Sequence, residues 1–227
     1  MRTALVTGGT GGLGTAVTAT LLAQGWRVVV PWIEERELER LPERDGLELV
    51  HADLFDPDAV AACVERAAAD PDAPLRGVAN LVGGFAAGQP VATTPIEAFD
   101  AQLRLNLRPT YLVTQAALPH LAAAGGGSIA CVSSRAALRP FAGAAGYCAS
   151  KAAVATFAAV VAEEGRRDGV RCNAIVPSVI ETPANRAAMG ADAKMVPPAQ
   201  IARVVAFLLS EDSLPTSGAA IPVYGDA

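Results

Sequence analysis

The sequence predicts one α/β domain built on a doubly wound parallel sheet, and three observations support this fold class. The chain has 227 residues, a length that buries a full core without disulfides or a metal. Short apolar runs bounded by Gly, Pro or Asp alternate with longer segments rich in Ala, Leu and Val, as expected for buried strands joined by crossover helices. A glycine-rich turn follows the first apolar run, at the first strand-to-helix junction.

Strands and helices are predicted to alternate regularly along the chain. No composition shift marks a second domain, so 1–227 is expected to form a single three-layer Rossmann fold with seven strands. Right-handed crossovers place all strand carboxyl ends at one edge of the sheet, where we expect ligands to bind. The predicted strands are 3–6, 27–30, 47–51, 77–82, 128–132, 171–176 and 220–223. The predicted helices lie near 13–24, 34–41, 57–69, 95–123, 147–167 and 198–210.

Composition argues against several classes of protein. The formal net charge of −5 comes from dispersed residues, and no Lys/Arg cluster indicates nucleic-acid binding. The opening residues enter a strand directly, and no later stretch is both long enough and free of charge to span a membrane, so we expect a cytoplasmic protein without a membrane partner. The four cysteines and two histidines follow no metal-binding spacing, so we expect reduced thiols and no metal.

The glycine-rich turn covers Thr7 to Gly14 and reads TGGTGGLG. Glycine allows a tight turn and a close approach of the backbone to phosphates, and the helix that follows offers its N–H groups and dipole to an anion. A flexible turn without a ligand is the alternative interpretation. The position at the first strand-to-helix junction favours a dinucleotide pyrophosphate site, anchored by Gly8, Gly12 and Gly14.

A second cluster of polar residues is predicted at the same edge of the sheet. Tyr147 and Lys151 are four residues apart at the start of a helix and therefore share one face. A nearby ammonium is expected to lower the pKa of the phenol and make its proton mobile. Ser134 ends the fifth strand and can hydrogen-bond a substrate oxygen. The alternative is a packed tyrosine and a solvated lysine, because this spacing is common by chance.

These motifs occur in the order typical of the short-chain dehydrogenase/reductase family, which the chain resembles over essentially its whole length. The resemblance implies hydride transfer between a nicotinamide cofactor and a ketone, aldehyde or alcohol on a small organic substrate. It implies that Tyr147 is the acid/base and that Ser134, thirteen residues earlier and favoured over Ser133, positions the substrate oxygen. It further implies that Lys151 binds the nicotinamide ribose and that Asn106 holds a water next to this lysine.

The same resemblance implies which residues contact the cofactor. Trp32 stands where an acidic or basic residue usually selects between the two cofactors, and it is neither. NAD is favoured over NADP because the turn carries Thr10-Gly11 where phosphate-preferring members often have Arg, and because Glu34 and Glu35 would repel extra negative charge. Arg36 is the feature that could reverse this preference. The implied cofactor contacts are Thr7, Gly8, Gly12, Leu13, Gly14, Trp32, Asp53, Leu54, Asn80, Tyr147, Lys151, Pro177, Ile180 and Thr182.

The substrate end is less defined by the sequence. The segment 184–198 is a candidate lid, and Phe85 and Phe141 are candidate cavity walls. The lid resembles that of dihydropteridine reductases, which leaves a pteridine-like C=N substrate as an alternative, and a non-catalytic cofactor sensor as a third. Family resemblance also implies a homotetramer or homodimer, formed through the helices near 95–123 and 147–167.

Overall fold

All seven predicted strands are present in the computed structural model, which describes residues 1–41 and 43–226. They form one parallel sheet in the order β3-β2-β1-β4-β5-β6-β7, so the prediction of a doubly wound, seven-stranded Rossmann fold is confirmed. The strand order reverses between β1 and β4, which opens the crevice where such sheets bind ligands. The strands are β1 (Arg2–Thr7), β2 (Trp26–Trp32), β3 (Leu47–His51), β4 (Leu75–Asn80), β5 (Gly127–Val132), β6 (Val170–Pro177) and β7 (Ala220–Val223).

Helices cover both faces of the sheet. Helices α1 and α7 pack on one face, while α2, α3 and α5 pack on the other. The helices are α1 (Gly14–Ala23), α2 (Pro57–Ala68), α3 (Ile96–Ala123), α4 (Arg135–Leu138), α5 (Ala145–Glu164), α6 (Pro183–Met189) and α7 (Pro198–Leu209).

The sheet separates the core into two clusters, because successive side chains along each strand point to opposite faces of the sheet. In β1, Leu5 points into the cluster shared with α2, α3 and α5, while Ala4 and Val6 point into the cluster shared with α1 and α7. All three are at most 1% exposed. Full burial of a Val or Leu side chain stabilises the fold by about 1.5–3 kcal/mol, so the central strands hold the crevice at a fixed place in the domain.

Several element bounds differ from prediction. Strand β4 ends at Asn80 rather than at residue 82, because the Leu81 N–H leaves the ladder and donates to the Thr7 hydroxyl at 3.1 Å. The predicted helix 34–41 is a 3₁₀ helix, Glu35–Arg40. The short helices α4 and α6 were not predicted, and α6 forms the first half of the candidate lid.

The chain from Ala145 to Asp168 is long and apolar enough to cross a membrane by length and composition. It contains α5, however, whose Val154, Ala158 and Val161 are buried in the core. The same helix carries Lys151, which is 4% exposed. A helix with this packing is a core helix of the domain.

Candidate active site

The glycine-rich turn is shaped by the absence of side chains. Gly8 has a φ of +64°, and a Cβ at Gly14 would lie 2.0 Å from the Gly8 carbonyl oxygen. A Cβ at Gly12 would lie 2.8 Å from Cγ2 of Thr182, so this glycine keeps open a passage between the turn and the loop after β6. Helix α1 begins at Gly14 with no side-chain cap and no acidic residue in its first turn. No side chain therefore competes with an anion for the helix dipole and for the N–H groups that remain free at this end, and the cradle fits a dinucleotide pyrophosphate.

Two of the predicted cofactor contacts use their side chains to brace the crevice. The Thr7 hydroxyl accepts from Leu81 N–H and donates to the Ala79 carbonyl at 3.4 Å, which ties β1 to β4. The Asn80 amide is 2% exposed and donates to the Thr114 hydroxyl of α3 at 3.0 Å. Both side chains point into the protein, so any cofactor contact made by these residues falls to their backbone atoms.

The adenosine end of the crevice lies beyond β2 and β3. The rings of Trp32 and His51 meet edge to face with centroids 4.8 Å apart. Asp53, exposed after β3, accepts a hydrogen bond from Phe55 N–H at 2.9 Å, and Leu54 beside it is half-buried. These positions are compatible with the predicted adenosine contacts, which stay predictions.

Ser134 and Tyr147 meet at the carboxyl end of β5. The Ser134 hydroxyl caps α4 by accepting from Ala136 N–H at 3.2 Å, and it lies near enough to Tyr147 to lower the pKa of the phenol. Ser133, by contrast, is 1% exposed and donates to the Lys151 carbonyl at 2.7 Å, which leaves it no access to a substrate. Of the two serines, Ser134 is the more exposed, and its catalytic role stays a prediction.

The electrostatics of Tyr147 differ from expectation. Burial raises the pKa of the phenol above its usual value, the hydrogen bond with Ser134 lowers it, and the neighbouring thiol of Cys148 raises it, with a net upward shift. The charge of Lys151 is not among the causes of this pKa shift, and its Nζ donates to the Val132 carbonyl at 3.1 Å. The Lys151 ammonium alone therefore does not produce the expected downward shift of the pKa, because burial, which disfavours the charged phenolate, has the larger effect.

Lys151 and Asn106 converge on the loop after β4. Burial lowers the pKa of Lys151 to about 8. A Cβ at Gly83 would lie 2.6 Å from Oδ1 of Asn106 and 2.8 Å from Nζ of Lys151. Asn106 also accepts from Gly84 N–H at 3.0 Å and donates to the Ser150 hydroxyl at 3.1 Å, so it links α3, α5 and this loop. The role of Gly83 was not predicted, although the double glycine after a strand is a signal of close backbone approach.

Aromatic rings stand over the catalytic cluster. The ring of Phe85 meets that of Tyr147 edge to face, with centroids 4.9 Å apart, and lies 6.4 Å from the ring of Phe141. Phe85 is 63% and Phe141 50% exposed, so both present apolar surface to the crevice. The two candidate walls are thus brought to the reacting end of the site.

The loop after β6 closes the other side of the crevice. Pro177 ends β6, and Thr182 caps α6 by accepting from Asn185 N–H at 3.2 Å. The Ile180 carbonyl accepts from the Asn185 side chain at 2.8 Å, and Ile180 forms a bridge with Val196. These contacts fix the start of the candidate lid beside the glycine-rich turn.

The opposite edge of the sheet carries a surface cavity of about 470 Å³ bordered by Trp26, Arg76 and Arg171. Both arginines donate to carbonyls at helix ends, Arg76 to that of Ala124 and Arg171 to that of Ser210. These two arginines therefore cap helix ends. Among residues 1–41 and 43–226, no group of His, Cys, Asp and Glu is placed to hold a metal ion.

Comparison with known proteins gives consistent matches over the chain. The family model described as short chain dehydrogenase matches residues 2–192. A 2-(R)-hydroxypropyl-CoM dehydrogenase of Xanthobacter autotrophicus is 33% identical over 99% of this chain and 97% of its own length.

Solved structures agree with this match. A short-chain type dehydrogenase/reductase from Mycobacterium ulcerans superimposes with a TM-score of 0.92 at 28% identity, covering 99% of this chain and 88% of that one. A 3-ketoacyl-(acyl-carrier-protein) reductase from Brucella melitensis, complexed with NADH, superimposes with a TM-score of 0.87 at 28% identity, covering 99% and 97%.

Proposed function

Since the chain belongs to the short chain dehydrogenase family, we propose that it interconverts a ketone or aldehyde and the corresponding alcohol on a small organic molecule, with Tyr147 as the acid/base. The chain is an oxidoreductase of CH–OH and C=O groups, and its family uses NAD or NADP. The observation that carries the proposal is the meeting of Tyr147 and Ser134 beside the buried Lys151, at the edge that holds the glycine-rich turn.

The cofactor, when bound, supplies or accepts the hydride. On the protein side, the glycine-rich turn would hold its pyrophosphate, and Lys151 and Thr182 would hold its nicotinamide half. Because the pKa of Tyr147 is raised, its phenol is protonated at neutral pH and can donate a proton to a substrate oxygen. The Ser134 hydroxyl, which lies beside that phenol, can donate its single hydrogen bond to the same oxygen as negative charge develops on it.

Lys151 and Asn106 are proposed to act without contacting the substrate directly. The lysine is held by the Val132 carbonyl, and Asn106 is held by Gly84 and Ser150. Both side chains are almost fully buried, so their positions are set by packing before any ligand arrives. Such preorganisation removes a reorganisation cost from the proton-transfer step.

The aromatic wall supports a substrate with an apolar, flat part. Phe85 and Phe141 expose much of their rings next to Tyr147. Burying an exposed ring against a substrate is favourable, and ring pairs gain about 0.5–1.5 kcal/mol beyond area burial. We therefore propose an aryl or cyclic carbonyl compound as the preferred substrate.

The test is a panel of aryl ketones, aliphatic ketones, aldehydes and a quinonoid dihydropterin, offered to the purified protein with NADH or NADPH. Loss of absorbance of the reduced nucleotide with a ketone or aldehyde supports the proposal. Turnover of the dihydropterin alone would favour the pteridine alternative instead. Tight nucleotide binding with no turnover of any compound would favour a cofactor sensor.

Exposed apolar side chains on two helices support self-association of the chain. Tyr111 of α3 and Val160 of α5 are 47% and 48% exposed, which supports packing of these helices against a second copy in a homodimer or homotetramer. Light scattering after size-exclusion chromatography measures the oligomeric state.

The cysteines within the described residues are free and buried, which supports a reducing compartment, and we propose that the protein is located in the cytoplasm.

A further inference from the structure

The residue at the end of β2 does not explain which cofactor this chain takes. Trp32 carries no charge, and its ring is engaged with His51. A dinucleotide-binding sheet normally reads the adenosine ribose with an acidic or basic group near this place. Another residue must supply the charge if the crevice is selective.

A carboxylate reaches the glycine-rich turn from the 3₁₀ helix Glu35–Arg40. The Thr10 hydroxyl, 5% exposed in the middle of the turn, donates to Oε2 of Glu37 at 2.6 Å. Arg40 donates to Oε1 of Glu37 at 3.3 Å and to the Thr10 carbonyl at 3.2 Å. Both carboxylate oxygens and the turn are therefore fixed in one network across 27 residues of sequence.

The other acidic residues of this segment do not share this position. Glu34 lies 3.7 Å from Arg36, and these two side chains are 57% and 82% exposed. Within the described residues, neither Glu35 nor Glu39 hydrogen-bonds to the turn, and both are exposed. Glu37, whose side chain is 32% exposed, is thus the carboxylate held against the pyrophosphate cradle.

We propose that Glu37 makes this chain selective for NAD over NADP. The inference rests on the proposed function, since it requires that the crevice hold the dinucleotide. A carboxylate oxygen fixed at the turn can accept a further hydrogen bond from a ribose hydroxyl, whereas its ion pair with Arg40 leaves no free cation there to bind a 2′-phosphate.

The same network prevents Arg40 from acting as a phosphate ligand. Its guanidinium is engaged by Glu37 and by the Thr10 carbonyl, so its charge is neutralised in place. Replacing Glu37 by Gln removes the negative charge and leaves Arg40 available to a 2′-phosphate. This one substitution is therefore expected to weaken the binding of NAD and to strengthen the binding of NADP.

The experiment measures binding without a substrate. Dissociation constants of NAD⁺ and NADP⁺ are determined by titration calorimetry for the parent, Glu37→Gln and Glu39→Gln, with thermal unfolding as a check of folding. We expect the parent to bind NAD⁺ at least about tenfold more tightly, and Glu37→Gln to lower this ratio at least about tenfold. Glu39→Gln, a matched loss of one charge on the same 3₁₀ helix, is expected to leave the ratio within about twofold.

A double variant tests whether the released Arg40 accounts for the gain in NADP⁺ affinity. Glu37→Gln combined with Arg40→Gln should lose the NADP⁺ affinity gained by the single variant. Thr10→Val retains the charge but removes its anchor, and it should reduce the ratio less than Glu37→Gln does.

Two results would overturn the inference: equal or tighter binding of NADP⁺ by the parent, or the same change of ratio in Glu37→Gln and Glu39→Gln. Failure of the folded parent to bind either nucleotide would contradict the proposed function itself, and this inference with it.

Discussion

At the reacting end of the crevice the side chains are buried and tied to strands and helices, whereas at the adenosine end they are more exposed and tied mainly to one another. Lys151 and Asn106 are 4% and 1% exposed, and their polar atoms contact a strand carbonyl and two helices. Arg40 is 55% exposed and holds Glu37 from an irregular segment. We therefore expect substitutions at the first end to change the rate of turnover, and substitutions at the second end to change the selectivity between NAD and NADP.

The variant with the largest expected effect at the reacting end is Gly83→Ala. The added methyl group would lie 2.6 Å from Oδ1 of Asn106 and 2.8 Å from Nζ of Lys151, so one or both must move. We expect turnover to fall about 100-fold, because displacement of reacting groups by about 1 Å has this effect. Steady-state kinetics on a substrate from the panel measure it.

The neighbouring Gly84→Ala is the matched control. Its methyl group would meet Cδ2 of Leu105, the end of a flexible side chain, at 2.6 Å. We expect turnover to stay within about threefold of the parent, because that side chain can take another rotamer. Equal losses in both variants would show that the loop tolerates no side chain, independent of the lysine and the asparagine.

The second prediction concerns pH. Burial lowers the pKa of Lys151 to about 8. We therefore expect kcat/KM for reduction to fall as pH rises through about 8, because the neutral amine would hold the nicotinamide half of the cofactor less well than the ammonium does. Because this value lies below the ordinary 10.5, the unfolded chain retains the proton longer, and the contribution of Lys151 to the free energy of unfolding rises with pH across this window. A loss of activity there is thus not a loss of fold.

The titration can be observed directly because the sequence contains only two lysines, Lys151 and Lys194. In a Lys194→Arg protein, the remaining lysine side-chain signal in an NMR pH titration belongs to Lys151. A midpoint near 8 that coincides with the fall in kcat/KM supports the account. An ordinary lysine midpoint would show that the ammonium is better solvated than its burial indicates.

The smallest expected effect is at the aromatic wall. Phe85→Leu removes a ring that is 63% exposed beside Tyr147. We expect KM for an aryl ketone to rise about three- to tenfold, in keeping with the worth of a ring pair, and KM for an aliphatic ketone of similar size to stay unchanged. Equal shifts for both ketones would indicate that Phe85 positions Tyr147 rather than the substrate.

The fold and the reacting residues are readable from the sequence because both depend on local patterns. The apolar runs predict all seven strands, and the spacing of Tyr147 and Lys151 places them on one helix face. The short helix α4 was missed, although Ser134 at its start is a recognisable cap.

Long-range contacts account for what the sequence does not reveal. Two of these contacts join segments that are far apart in the chain: the hydrogen bond between Thr10 and Glu37, and the approach of Gly83 to Lys151. The burial that raises the pKa of Tyr147 likewise depends on how such segments pack. None of them produces a periodic signal. Each becomes visible only when packing brings the segments together.

The most direct test of the central claim is a single-turnover measurement with Tyr147→Phe. Parent and variant are saturated with reduced nucleotide, mixed with a carbonyl substrate accepted by the parent, and followed by nucleotide absorbance, with nucleotide affinity measured in parallel. We predict that hydride transfer slows by about 10²–10⁴-fold while nucleotide affinity falls far less, because the proton donor is removed and the other implied cofactor contacts are kept. Hydride transfer at the parental rate would contradict the assignment of Tyr147 as the acid.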